Sequence, residues 1–168
     1  MIEVMREVLR EADYLIHLQE EYGLRKVDMR RIIKRRTLRS DELYLVASHR
    51  GEIIANLDAE CDSRYRLCHS IEIGLFVKKD YRTKGLGKTM LRAFLAWASQ
   101  TERLRRVELH VHENNQAALA LYRSFGFEIE GRRYHALRED DGTFADDIIM
   151  AKMLPEKAAD KNQRDLQT

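Results

Sequence analysis

The sequence predicts an α/β or α+β chain built on a mixed sheet, and three observations carry that prediction. Ser70 to Val77 alternates strictly, with Ile71, Ile73, Leu75 and Val77 on one face and Glu72, Gly74 and Phe76 on the other. Directly after it, Gly87 to Gln100 spaces Met90, Leu91, Phe94, Leu95 and Trp97 as one apolar helical stripe. Near the end, residues 127–137 and 144–153 are two extended stretches joined by EDDGT around Gly142, the pattern of a closing hairpin.

The remaining elements follow in chain order. Ile2, Val4 and Arg6 alternate as in a strand, and Val8, Leu15 and Leu18 recur at helical spacing, so residues 1–20 read as strand then helix. Asp28 followed by Met29, Ile32 and Ile33 among basic residues gives an amphipathic helix ending near Arg39. Residues 43–48 form a strand, HRGE around Gly51 a hairpin turn, and residues 53–59 the returning strand. Arg106 to His112 alternates again, with Val107, Leu109 and Val111 opposite Glu108, His110 and His112. Asn114 and Asn115 then offer capping oxygens to a helix over residues 117–125, which Gly126 stops.

Composition bounds the function classes. With 168 residues, 44% hydrophobic content and a single proline, the chain reads as one domain over residues 1–154 with a polar tail over 155–168. No apolar run approaches the roughly 20 residues of a membrane span, and the start lacks a signal pattern, so a cytoplasmic protein is expected. Cys61 and Cys68 have neither metal-site nor redox-pair spacing and read as reduced thiols. A net charge of +2 is too weak a field to argue for nucleic acid. Charge is nonetheless clustered: eight basic residues lie between Arg25 and Arg39, while Glu139, Asp140, Asp141, Asp146 and Asp147 crowd the hairpin. Both clusters read as solvated faces.

The chemistry is expected in IEIGLFVKKDYRTKGLGKTMLRAFLAWA, where a strand runs into a basic, glycine-containing loop that opens a helix. Amides at a helix amino terminus point outward with the positive end of the dipole, and Gly85 and Gly87 let an anion approach the backbone. Arg82, Lys84 and Lys88 add positive charge there. The loop is neither GxxxxGK[ST] nor GxGxxG with an acidic ribose ligand, which leaves a diphosphate held mainly by amides.

These residues resemble the GNAT acetyltransferase family. Its first signature is Gln or Arg, two residues, Gly, one residue, then Gly or Ala, and here it is Arg82-Thr83-Lys84-Gly85-Leu86-Gly87; the second stands as NQAALALYRSFGF. The resemblance extends over roughly residues 40–153. It implies a mixed central sheet with a splayed parallel strand pair, helices on both faces and a carboxy-terminal β-hairpin. It further implies acetyl-CoA as co-substrate, no metal and, as often in the family, a homodimer. The implied cofactor contacts are Leu75, Phe76 and Val77, then Arg82, Thr83, Lys84, Gly85, Leu86, Gly87 and Lys88, and finally Asn115, Ala118 and Tyr122.

The implied reaction is direct attack of a neutral amine on the thioester within a ternary complex. The resemblance assigns the oxyanion donor to the Val77 amide and the general acid to Tyr122. Glu72, on the polar face of the strand that delivers Val77, is the expected base, with Glu108, His110 and His112 as rivals on the neighbouring strand. The His110 and His112 pair has no third ligand at metal-site spacing. The acceptor is expected to be a small amine, an amino acid or an antibiotic-like compound, with no nucleic acid or membrane partner. The alternatives are a protein amino terminus as acceptor and a non-catalytic acyl-CoA-binding module. A basic helix at the site would favour an anionic acceptor, an acidic hairpin a polyamine or aminoglycoside.

Overall fold

The computed structural model describes residues 27, 28, 30, 31, 34 and 38–156. The strand and helix expected within residues 1–20, and the tail beyond 156, lie outside the described residues. Positions 27, 28, 30, 31, 34 and 38 are helical, in accord with the helix expected to end near Arg39. Six strands follow: β1 Leu43–His49, β2 Glu52–Cys61, β3 Ser70–Val77, β4 Arg106–His112, β5 Glu128–Arg138 and β6 Phe144–Met153. Helix α1 Leu86–Gln100 lies between β3 and β4, and α2 Gln116–Arg123 between β4 and β5. Among the described residues, no helix is long and apolar enough to cross a membrane.

The strands form one mixed sheet in the order β1-β2-β3-β4-β6-β5. β1 and β2 are joined by Arg50 and Gly51, both at positive φ (50° and 82°), the backbone of a two-residue hairpin turn that matches strand twist. All neighbours are antiparallel except β3 and β4. That parallel pair holds for only three positions, Ser70 to Arg106, Ile71 to Val107 and Glu72 to Glu108. Beyond them the two strands diverge, which is the splayed pair the sequence led us to expect.

Alternation decides what each face buries. Ala55, Leu57 and Ala59 of β2, Ile71 and Ile73 of β3, Val107, Leu109 and Val111 of β4, and Ile148 and Met150 of β6 share one apolar face. Met90, Leu91, Phe94 and Ala98 of α1 and Leu119 and Tyr122 of α2 belong to the same cluster. The opposite face carries Asp58, Glu60, Glu72, Glu108 and His110.

The carboxy-terminal hairpin corrects one expectation. Asp146 and Asp147 are buried rather than part of a solvated face. Their charges are compensated by partners distant in sequence: Arg132 and the His135 amide (2.8 Å) bond Asp146, and Arg133 (3.3 Å) and His110 (2.6 Å) bond Asp147. The His135 amide and the Arg132 guanidinium hold the Asp146 carboxyl below the usual carboxylate range. A depressed native value stabilises the fold above the unfolded-state value of about 3.9, and that contribution is lost as pH falls through the native value. The thermal midpoint, followed by circular dichroism, should therefore be flat down to about pH 5 and fall below about pH 4, with a shallower acid limb in Asp146→Asn.

Candidate active site

The glycine-containing loop after β3 is shaped by its backbone. Lys79–Tyr81 make a single 3-10 turn after β3, and the chain then passes through Thr83 (φ 58°) and Gly85 (φ 83°) into α1. Gly85 is the α1 N-cap residue, and its left-handed backbone supplies the close turn that a Cβ would strain. The first intrahelical bond is from the Thr89 amide to the Gly85 carbonyl (3.0 Å), so the amides of Leu86, Gly87 and Lys88 have no acceptor within the helix. No acidic side chain stands in that first turn to compensate them.

Arg82 donates from Nε to the Val77 carbonyl at 2.9 Å, tying the loop back to the end of β3. The Lys84 ammonium lies 5.7 Å from the centre of the Tyr81 ring. Asn115 caps α2, its side chain accepting from the Ala118 amide at 3.1 Å.

These pieces enclose a cavity of about 550 Å³. Of the predicted cofactor contacts, Leu75, Phe76, Val77, Arg82, Thr83, Gly85, Leu86, Gly87, Lys88, Asn115, Ala118 and Tyr122 line it, whereas Lys84 turns to Tyr81 instead. Tyr81, Ala117 and Leu121 line it as well and escaped the sequence reading. Tyr81 stands directly before Arg82 of the first signature, and Leu121 beside Tyr122 in the second, so the signal for both was present. Gly87 turns its side-chain position toward Leu121, Leu75 and Val77 at 3.4 to 3.9 Å, which lets α1 start close against β3 and α2.

The register of β2 with β3 sets the direction of the peptide groups. The Lys78 amide bonds the Ile54 carbonyl on β2 (2.9 Å), and peptide direction alternates along a strand. The amides of Leu75 and Val77 therefore face β4, where the splay has removed the neighbouring strand. Tyr122 is 6% exposed, packs edge-on to Phe127 with centroids 5.6 Å apart, and lines the cavity. Among the described residues its hydroxyl has no hydrogen-bond partner. Burial pushes its titration well above the ordinary phenol value and the Asp58 charge adds to this, so the phenol keeps its proton across the physiological range.

Glu72 is not brought into this cavity. It belongs to the opposite face and lines a second cavity of about 1130 Å³, together with Asp58, Glu60, Gly74, Glu108 and His110. Position along β3 separates them, since residues up to Gly74 line this second cavity and residues from Leu75 onward line the first. Of the basic groups in this second cavity, Arg106 is engaged by Glu108 (2.6 Å) and Glu130, Arg64 by Asp62, and Arg39 by Asp41 and Glu42 (both 3.0 Å).

Successive residues of β3 line the two cavities: Glu72, Ile73 and Gly74 the acidic one, and Leu75, Phe76 and Val77 the one with the amide-rich loop. The change falls just beyond Glu72, the last residue of β3 that pairs with β4. The rival bases differ in what holds them. His112 is nearly buried, with Nε2 on Glu139 (2.7 Å) and Nδ1 accepting from the Asn114 amide (3.1 Å), so both ring nitrogens are occupied. His110 contacts Asp147 through Nδ1 only. Among the described residues, no three His, Cys, Asp or Glu side chains are grouped to hold a metal ion.

Comparison with known proteins gives the family and the fold. The model of the Acetyltransferase (GNAT) family matches residues 3–127, which contain β3, the loop and both helices. The L-amino acid N-acetyltransferase AaaT of Escherichia coli K12 is 30% identical over 110 residues, covering 65% of this chain and 67% of that protein. A probable spermine N(1)-acetyltransferase of Bacillus subtilis subsp. natto is 41% identical over 56 residues, 33% of this chain and 37% of that protein. Among solved structures, a GNAT-family acetyltransferase from Streptococcus pneumoniae matches with a TM-score of 0.88 at 27% identity, over 92% of this chain and 91% of that one.

Proposed function

This chain belongs to the GNAT acetyltransferase family and is an acetyl-CoA-dependent acetyltransferase, and on that premise we propose that it transfers the acetyl group directly to a primary amine on a small molecule. The observation that carries the reading is that successive residues of β3 line two cavities of different character. One has a loop of cationic side chains and outward amides suited to a diphosphate. The other is an acidic chamber suited to an ammonium group, and the change between them falls just beyond the last β3–β4 pair.

In this reading the amides of Leu86 to Lys88, with Arg82 and Lys88, hold the diphosphate of acetyl-CoA, and Asn115 and Ala118 border its pantetheine arm. The Val77 amide, fixed by β2 pairing and aimed into the splay, donates to the thioester oxygen as charge builds there. One preorganised donor of this kind is commonly worth about 10² to 10³ in rate. Tyr122, protonated and with no hydroxyl partner among the described residues, gives its proton to the departing sulfur. The amine reaches the thioester from the acidic side, where Glu72 and His110 stand as candidate bases.

The relatives named for L-amino acid and spermine acetylation make those two amine classes the first acceptors to test. The experiment is calorimetric titration with acetyl-CoA, followed by release of the free thiol with spermine and a set of L-amino acids. Binding with a micromolar dissociation constant, and thiol release that depends on the amine, is the expected result. Absence of acetyl-CoA binding overturns the reading of the loop, and binding without amine-dependent release overturns the acceptor class.

A further inference from the structure

We propose that His110, oriented by Asp147, takes the proton from the amine, and that Glu72 does not. This rests on the reading of the two cavities given above and names the base within it. The first support is position. Glu72 lies opposite Glu108 at the last paired position of the splay, and Val77 is five residues further along β3. At about 3.3 Å per residue that is roughly 16 Å of strand, several times the reach of a glutamate side chain. His110 is two residues beyond Glu108 along β4, so it lies about 7 Å closer to the open end of the splay, and with Gly74 it lines the acidic cavity.

The second support is the state of the imidazole. An ionised carboxylate only accepts, so in the 2.6 Å contact with Asp147 Nδ1 is the donor, and the neutral form of the ring then carries its lone pair on Nε2. His110 lines the acidic cavity, its side chain is 24% exposed, and its Nε2 has no partner among the described residues. Asp147 is itself buried on β6, diagonal to His110 in the strand register, with Arg133 opposite it on β5. A buried carboxylate held from both neighbouring strands fixes the ring plane and stabilises the imidazolium that forms when the ring accepts a proton.

The other candidates are committed elsewhere. Glu108 is bonded to Arg106, and both nitrogens of His112 are engaged by the hairpin and the Asn114 amide. Asp147 is accordingly a positioning residue, acting through His110.

The proton count closes. The amide product keeps one hydrogen on nitrogen, so an ammonium sheds two. One goes to His110 Nε2 and on to solvent, which frees the nitrogen lone pair to form the bond to the carbonyl carbon. The carbon–sulfur bond breaks with its electrons on sulfur. Tyr122 protonates that sulfur, and the second proton from nitrogen restores the phenol.

The test is steady-state thiol release, with spermine or the best L-amino acid of the set, for wild type, His110→Ala, Asp147→Asn, the double variant and Glu72→Gln. His110→Ala should lower kcat about 100-fold with acetyl-CoA affinity unchanged by calorimetry, and added imidazole should restore activity in a concentration-dependent way. Asp147→Asn should lower kcat at least about fivefold without moving KM for acetyl-CoA. The double variant should be no slower than His110→Ala, because Asp147 has nothing to orient once the ring is gone. His110→Gln replaces His110→Ala if the alanine variant does not fold. The proposal is overturned if both His110 variants stay within threefold of wild type, if the two losses multiply in the double variant, or if Glu72→Gln carries the loss instead. A wild type that binds acetyl-CoA but releases no thiol with any of these amines overturns the acceptor reading, and this proposal with it.

Discussion

Gly85→Asp should weaken acetyl-CoA binding at least about 100-fold, equivalent to about 2.7 kcal/mol, while Gly85→Ala weakens it far less. Both variants place a side chain on a backbone at φ 83°, where a Cβ costs roughly 1 to 2 kcal/mol. They share that strain, and among the described residues no heavy atom beyond the local backbone lies within 4 Å of the added Cβ. Only aspartate brings a negative charge to the first turn of α1, and its carboxylate can also cap the amides of Gly87 and Lys88 in place of the diphosphate. The difference between the variants therefore isolates electrostatics and competition from backbone strain. Arg82→Ala should cost about 10-fold or more, because it removes a charge-assisted donor and releases the Val77 carbonyl from its 2.9 Å bond. Calorimetry on the three variants decides the matter. If Gly85→Asp falls no further than Gly85→Ala, the diphosphate is not held by these amides.

The loop was legible because everything that makes it is local. Strand alternation, two glycines, three cations and a helix start all fall within the nineteen positions from Ser70 to Lys88. The hairpin turns at Gly51 and Gly142 and the Asn115 cap were legible for the same reason, and all three stand where the sequence suggested. The splay was reached only through the family resemblance. Nothing in the composition of β3 or β4 says that pairing stops after Glu72, since both strands alternate cleanly to their ends.

The acidic side of the site was harder to read, and strand pairing explains why. Asp146 and Asp147 look like solvent-facing charge until β6 is inserted between β4 and β5, an order that places His110 beside a residue 37 positions later in the chain. Sequence gave no register for that insertion. The separation of Glu72 from Val77, by contrast, is local: Val77 is five residues further along β3, and Gly74 and Leu75 mark the change from one cavity lining to the other.

Tyr122→Phe should lower kcat by about 100-fold or more, leave acetyl-CoA affinity within about threefold, and leave thermal stability unchanged or slightly raised. The combination follows from the state of the hydroxyl. A buried phenol ordinarily finds a partner, yet among the described residues the Tyr122 hydroxyl has none and borders the cavity. Removing it breaks no protein hydrogen bond, and the ring contacts with Phe127 remain. A purely structural tyrosine would behave differently, with stability and rate moving together or neither moving at all. Burial and the Asp58 charge keep the phenol protonated, which is the state that an acid toward the departing sulfur requires. Rate loss without loss of stability or affinity would assign the hydroxyl to the chemical step. A variant that keeps wild-type turnover would reduce Tyr122 to a wall of the cavity and transfer the acid role to solvent.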